Sequence, residues 1–353
     1  MPPTKPLIYD LSQPDLAEIV QSWGEPSFRT QQIWQGLYRD LWRAPQDFTT
    51  LPKPLRTKLW DSFSFHHLTP TTHLVSTDGE TQKTLFQLPD GNAVETVRMH
   101  YGGSKKPQNQ TRNTLCVSTQ SGCAMGCSFC ATGQMGFRRN LSSGEIIEQI
   151  LYYAHQLNQT KEHVTNVVFM GMGEPFHNYD AVMEAIDRLN DPQGMNFGAR
   201  RFTISTVGLV PAIRRFTAER RQVNLAVSLH AADDSLRSSL LPINRKYPLP
   251  ELMAALREYA DENRRRITFE WALIHGVNDT AEQAQKLARL IRGLLAHVNL
   301  IQLNPTQGFD GLATSRQRAE AFQSALTKRG IVCTIRVRRG IDIQAGCGQL
   351  ASQ

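Results

Sequence analysis

Long hydrophobic runs are missing from this chain of 353 residues. None approaches the ~18 apolar residues of a membrane span, so no transmembrane helix and no membrane partner is expected. The amino terminus, Met1-Pro2-Pro3-Thr4-Lys5-Pro6, offers no apolar signal core, which argues against a secretory address. Cysteine is scarce, with six residues and none of the paired spacings of a disulfide scaffold, so a reducing, cytoplasmic location is expected. Negative charge also falls short: 32 Asp and Glu face 39 Lys and Arg, a formal net charge of +7. The surplus gathers at Lys105-Lys106, Arg138-Arg139, Arg200-Arg201, Arg214-Arg215, Arg220-Arg221, Arg264-Arg265-Arg266, and Arg336 with Arg338-Arg339. Any one of these suits a solvated face. Together they point to a polyanionic partner, because neutralising phosphates is the sequence-independent part of nucleic-acid affinity.

What cysteine there is lies concentrated in Cys123-Ala124-Met125-Gly126-Cys127-Ser128-Phe129-Cys130, with the spacing C-x3-C-x2-C. Thiolates so spaced can fold around one soft metal centre, the kind that zinc and iron–sulfur clusters form. A closed structural zinc site takes four protein ligands, whereas three thiolates on a cubane [4Fe–4S] cluster leave one iron open. The motif resembles the signature of the radical S-adenosylmethionine (SAM) enzymes, in which the open iron chelates the amino and carboxylate groups of SAM. Cys123, Cys127 and Cys130 are then the metal ligands. A zinc site and plain structural thiols are the alternatives.

Residues 1–70 are expected to form a small all-helical accessory domain whose basic residues could touch RNA. Ser12 and Pro14 suit a helix start. Ile33, Trp34, Leu37, Tyr38, Leu41 and Trp42 recur at amphipathic spacing and predict a second helix, its aromatic stripe packed as core. A third helix carries Leu55 and Leu59 beyond Pro52 and Pro54. Residues 71–111 predict a β extension and linker, with turns at Asp78-Gly79 and Asp90-Gly91 and a polar loop over 102–111. In Ala93-Val94-Glu95-Thr96-Val97-Arg98-Met99, alternation sets Glu95 on the same side as Ala93, Val97 and Met99. Left unpaired there, the carboxylate can serve as a proton acceptor; facing an arginine, or on a strand polar on both sides, it is structural.

Residues 112–353 alternate strand and helix patterns. Strands are expected over 114–118, 166–170, 202–205, 224–228, 267–273, 298–303 and 332–337, with helices over 143–157, 179–189, 211–218, 250–262, 281–295 and 315–328. The expected fold class is α/β: a partial (β/α)6 barrel with parallel strands, ligands lying at the strands' C-terminal ends. Those ends are polar: Gly171-Met172-Gly173-Glu174-Pro175, Ser205-Thr206, Ser228-Leu229-His230 and Asn304-Pro305. Each alone suits ordinary turn chemistry; in series after a three-thiol loop they suggest a SAM pocket. Cys116 precedes the thiol loop on the first barrel strand, Cys347 lies between Gly346 and Gly348, and Cys333 shares strand parity with Ile331 and Ile335 as a packed core thiol.

These residues closely resemble the bacterial RlmN RNA methyltransferases, radical SAM enzymes that methylate carbon 2 of adenosine. The resemblance runs nearly end to end. It is carried by Pro26-Ser27-Phe28-Arg29-Thr30-Gln31-Gln32-Ile33-Trp34, Val94-Glu95-Thr96-Val97 and Cys116-Val117-Ser118-Thr119-Gln120-Ser121-Gly122-Cys123. It continues in Gly136-Phe137-Arg138-Arg139-Asn140-Leu141, Gly171-Met172-Gly173-Glu174-Pro175-Phe176-His177-Asn178, Ser228-Leu229-His230 and Gly346-Cys347-Gly348-Gln349-Leu350. The loop between Glu95 and Cys116 looks longer than in familiar members.

In that family one SAM methylates the cysteine matching Cys347. A second SAM, reductively cleaved, yields a radical that activates this methyl group for addition to the adenine. The resemblance assigns removal of the ring proton to Glu95 and release of the product to Cys116, leaving a transient Cys116–Cys347 disulfide. It implies one [4Fe–4S] cluster per subunit, two SAM per turnover, and SAM contacts from Gly173, Glu174, Ser205, Ser228, Leu229, His230 and Asn304. The implied partners are 23S rRNA at the peptidyl transferase centre, tRNA at the adenosine 3′ of the anticodon, an electron donor such as flavodoxin or ferredoxin, and a thiol reductant. A monomer is expected. Rival readings are Cfr-like methylation of carbon 8, a radical SAM enzyme acting on a small molecule or protein, and a non-catalytic zinc-binding RNA module.

Overall fold

The computed structural model describes residues 5–102 and 111–351. Lys105, Lys106 and most of the 102–111 loop lie outside the described residues. Three helices lead the chain: α1 (Gln13–Ser22), α2 (Phe28–Tyr38) and α3 (Lys53–Ser62). Ser12 caps α1 in a reciprocal box with Asp15, as Ser-x-x-Asp spacing permits. The second helix is shorter than its apolar spacing suggests. It stops at Tyr38, Leu41 takes a left-handed φ of 58°, and the chain doubles back so that Trp42 N–H donates to Gly36 O at 2.8 Å. A Cβ on Gly36 would lie 2.0 Å from the Trp42 ring, so packing of that indole overrides helical continuation. Leu41 and Trp42 still cover the core from outside the helix.

Strands β1 (Thr69–Val75), β2 (Thr81–Gln87), β3 (Ala93–Tyr101) and β4 (Arg112–Cys116) form an antiparallel meander. Beyond it, β5 (Gln120–Gly122) and β6 (Phe137–Asn140) make a two-stranded ribbon that flanks the thiol loop and had no clear sequence signal. Pairing from β4 onward is parallel, through β7 (Asn166–Phe169), β8 (Phe202–Thr206), β9 (Asn224–Ser228), β10 (Ile267–Leu273), β11 (Ala296–Gln302) and β12 (Val332–Ile335). Among the described residues, meander and parallel strands form one ten-stranded sheet in that order.

Crossover helices occupy the expected places: α5 (Ser143–Gln159), α6 (Tyr179–Asn190), α7 (Val210–Ala218), α9 (Leu249–Asn263), α10 (Ala281–Leu290) and α11 (Arg316–Thr327). Two short helices were not foreseen, α4 (Ala131–Gln134) after the thiol loop and α8 (Asp234–Leu240) after β9. Ser142 and Glu145 close a capping box on α5. The fold is therefore the expected α/β barrel sheet with a helical amino-terminal region and an antiparallel extension.

One apolar core runs from Val20, Ile33 and Leu55 through Ile146 and Leu225 to Phe269. Polar ties reinforce the join: Trp34 Nε1 donates to Asp191 at 2.7 Å, and Arg188 Nη1 to Tyr9 O at 2.6 Å. Cys333 is buried in that core, as its strand parity implied.

Candidate active site

The thiol loop leaves β5 and is folded by its own backbone. Cys123 N–H donates to Gly136 O at 3.0 Å, Cys130 N–H to Cys127 O at 3.2 Å, and Ser128 N–H to Leu240 O at 3.0 Å. Cys123, Met125 and Cys127 share a small apolar cluster with Leu240, Leu241, Ile274 and Leu303. All six cysteines are free thiols. Burial pushes Cys123 up to about 12 and raises Cys127 and Cys130, and the three thiols lie within one another's field. A bound cation reverses that cost by holding them as thiolates. Among the described residues, no three His, Cys, Asp or Glu side chains are drawn together as for a single metal ion. Three thiols on one loop, walled by apolar side chains, fit a cluster with an open position better than a closed four-ligand zinc site.

Two cavities meet beside this loop, each enclosing roughly 850 Å³ with its mouth included, a size suited to a nucleoside-scale ligand. The first lies over the C-terminal ends of the parallel strands. Its lining includes Cys127 and Cys130 together with Gly173, Glu174, Ser205, Ser228, His230 and Asn304. Six of the seven expected SAM contacts are thus brought together. Leu229 is not on the lining; its side chain is buried in the core.

Gly173 has a φ of 98°, and a Cβ there would lie 2.6 Å from Gln120, so only glycine lets this turn close. Glu174 accepts from Phe176 N–H at 3.0 Å and Val207 N–H at 2.9 Å, while burial lifts its carboxyl to about 7. An ammonium placed beside it would draw it back toward the ionised form. His230 accepts from Ala272 N–H at 2.9 Å through Nδ1, which leaves the proton of the neutral ring on Nε2. Burial lowers its pKa to about 3, so it stays neutral at ordinary pH.

The second cavity is lined by Val97, Met99, Tyr101, Cys116, Arg336 and Cys347, among others. Cys130, Asn304, Arg336 and Cys347 lie on the lining of both cavities, so Cys347 occupies the shared wall. Its loop is tied from several sides. Asn304 Nδ2 donates to Cys347 O at 3.0 Å, Ala131 N–H to Gly348 O at 2.8 Å, and Thr132 Oγ1 to Leu350 O at 2.6 Å. Arg336 Nη1 lies 3.9 Å from Cys347 Sγ and donates to it. Cys116 lies within the field of both Cys347 and Arg336, and burial pushes its thiol up to about 12. Asn304 therefore supports the Cys347 loop as well as lining the first cavity. Neither that role nor the place of Arg336 was visible in sequence, where Arg336 was one basic residue among many.

Glu95 is 1% exposed and paired: Oε1 lies 2.7 Å from Lys83 Nζ on the adjacent strand, and Oε2 accepts from Ala351 N–H at 2.8 Å. The partner is a lysine where an arginine was the expected alternative. Glu95 shares its strand face with Val97, Met99 and Tyr101, which line the second cavity, but it lies outside the lining itself.

Two of the basic stretches differ in their surroundings. Arg214, Arg215, Arg220 and Arg221 are met by Glu258, Asp180 and Glu219, Glu262, and Asp187 and Glu219, respectively. Arg336, Arg338 and Arg339 instead converge on the second cavity, with Arg339 paired to Glu80 and stacked on Tyr101.

Known proteins resemble this chain along nearly its whole length. Residues 117–291 match the Radical SAM superfamily and residues 8–64 match the "Ribosomal RNA large subunit methyltransferase N-terminal domain". The chain is 49% identical to the "Probable dual-specificity RNA methyltransferase RlmN" of Chloroflexus aurantiacus, over 98% of this chain and 93% of that one. It is 47% identical to "Dual-specificity RNA methyltransferase RlmN 1" of Myxococcus xanthus, over 97% and 93%. A crystal structure of a radical SAM methyltransferase from Sphaerobacter thermophilus superposes with a TM-score of 0.94 at 49% identity, covering 99% of this chain and all of that one. Thiol loop, helical region and end-to-end identity coincide, and the chain belongs to the RlmN family of the radical SAM superfamily.

Proposed function

We propose that this chain is a radical SAM methyltransferase that methylates carbon 2 of adenosine in 23S rRNA and in tRNA. One observation carries the reading: Cys347 stands on the wall common to two cavities, one reaching Cys127 and Cys130 and the other containing Cys116. Cys123, Cys127 and Cys130 would hold a [4Fe–4S] cluster, and the strand-end cavity would hold SAM. When bound, these groups supply reductively generated radical chemistry.

The chain's own residues do the rest. Cys347 presents its methylthio group across the shared wall to an adenine in the second cavity, where the radical chemistry would take one methyl hydrogen and recover one electron as the carbon joins the ring, with Asn304 and Arg336 holding its loop and sulfur in place. Apolar Val97, Met99, Val168 and Ile301 keep water from that space. Glu95 takes the ring proton once Ala351 releases it, and Lys83 compensates its charge until then. Cys116 thiolate then attacks the Cys347 sulfur. The sulfur–carbon bond to the adenine breaks, its electron pair is protonated at carbon to leave the methyl group, and a Cys116–Cys347 disulfide remains. A thiol reductant reopens it, and a one-electron donor of the flavodoxin or ferredoxin type supplies reducing equivalents. Burial opposes ionisation of Cys116, and Arg336 counters it.

Anaerobic reconstitution is expected to give a brown protein with about four irons per chain. Digestion of RNA treated with this protein and SAM should release 2-methyladenosine by mass spectrometry. Recovery of 8-methyladenosine would overturn the choice of carbon. A colourless protein with one zinc would overturn the whole reading.

A further inference from the structure

Arg237, on α8, is 0% exposed, more deeply buried than any other Lys or Arg among the described residues. It donates through Nε to Leu229 O at 3.2 Å, through Nη1 to Asn244 Oδ1 at 2.7 Å, and through Nη2 to Val207 O at 2.6 Å and Ser228 O at 3.3 Å. All four acceptors are neutral. The nearby Asp234 carboxylate is turned to Asn244 Nδ2 at 2.9 Å and Leu249 N–H at 2.8 Å. By contrast Arg188, also buried, has Glu184 at 3.2 Å. A buried cation without a paired anion is costly and calls for a counter-charge.

The surroundings say where that counter-charge lies. Val207 and Ser228, two of the acceptors, line the strand-end cavity together with Cys127. Leu241 N–H donates to Arg237 O at 2.7 Å, and the preceding Leu240 O receives Ser128 N–H from the thiol loop. Val207, Leu240 and Leu241 pack with Cys123 and Cys127.

We infer that Arg237 is the counter-charge of the three-thiolate centre: two of its four bonds hold residues that line the SAM cavity, and its charge favours the reduced cluster. The inference rests on the functional reading above. Reduction here is the gain of one electron from a low-potential one-electron carrier, with no bond made or broken. It makes the thiolate-bound centre more negative, and a fixed cation in a low-dielectric site stabilises that state. Arg237 is thus a positioning residue that does not itself touch the reacting atoms.

The test compares wild type, Arg237→Gln and Arg237→Lys after anaerobic cluster reconstitution, with midpoint potentials from dye-mediated dithionite titration. Arg237→Gln is expected to move the reduction equilibrium about tenfold toward the oxidised state, about 59 mV for a one-electron couple. Arg237→Lys should keep most of the potential yet weaken SAM binding in equilibrium dialysis, because an ammonium cannot reproduce the four bonds. Equal potentials in wild type and Arg237→Gln would overturn the inference. If Arg237→Gln fails to take up the cluster while Arg237→Lys loads, the requirement for charge stands; if both fail, the bonds alone matter and the inference falls. A wild-type protein that shows no iron–sulfur absorbance would sink the functional reading instead.

Discussion

The Lys83–Glu95 pair offers a test of site architecture that needs neither cluster nor RNA. Both side chains are buried, at 6% and 1% exposure, and lie 2.7 Å apart. Lys83 Nζ also reaches Gln344 O at 3.4 Å, and Glu95 receives Ala351 N–H, so the pair ties both ends of the Cys347 loop to the β extension. Lys83→Met keeps the bulk of the side chain but strands a buried carboxylate, a loss of about 3–5 kcal/mol. At about 2 °C per kcal/mol for a chain this large, the thermal midpoint should fall by roughly 6–10 °C. Glu95→Gln should also destabilise, by stranding the ammonium. The double variant should cost less than the sum of the two by ~2 kcal/mol or more, because neither charge is then left alone. Calorimetry of the cluster-free protein reads the cycle, and hydrogen exchange at residues 344–351 should accelerate in Lys83→Met. Additivity within about 0.5 kcal/mol, or unchanged exchange, would show that the pair neither couples nor anchors the loop.

Cys116→Ala should abolish product release and accumulate a covalent protein–RNA adduct through Cys347, seen as a shifted band that withstands denaturation; normal turnover would remove its resolving role. Gly346→Ala would place a Cβ 2.5 Å from Asn304 Nδ2, and should displace the loop and cut methylation roughly tenfold or more while SAM binding changes less; equal losses in both would show that the whole cavity had moved. His230 is held neutral, its pKa lowered from 6.5 to about 3, so it contributes stability that is fully present above pH 6.5 and lost as pH falls toward 3. His230→Asn tolerates the left-handed backbone (φ 58°) and should flatten that part of the acid-unfolding profile, by up to about 5 kcal/mol; an unchanged profile would mean that His230 does not govern it.

Much of the fold was legible from the chain. Parallel strands and their crossover helices bury regular apolar patterns, so local periodicity placed them to within a few residues. The exceptions have physical causes. At Trp42 a single tertiary contact, the indole over Gly36, ends a helix that spacing would have continued. The β5–β6 ribbon is too short for its alternation to stand out. Charge was the weakest guide: residues 214–221 count as a basic stretch, yet folding sets acidic partners beside each arginine.

The thiol motif and the strand-end polar residues are chemistry written in short sequence spacings, because ligands on one loop must be near one another whatever the fold does. Cys116, Arg336, Asn304 and Cys347 are different. Their meeting depends on where β4, β11 and β12 lie in the sheet and on how the last residues fold back over it, and Glu95 finds Lys83 only through the register of β2 against β3. Local order along the chain settled which groups could react; convergence of distant segments, driven by burial of the sheet, decided which of them share a wall.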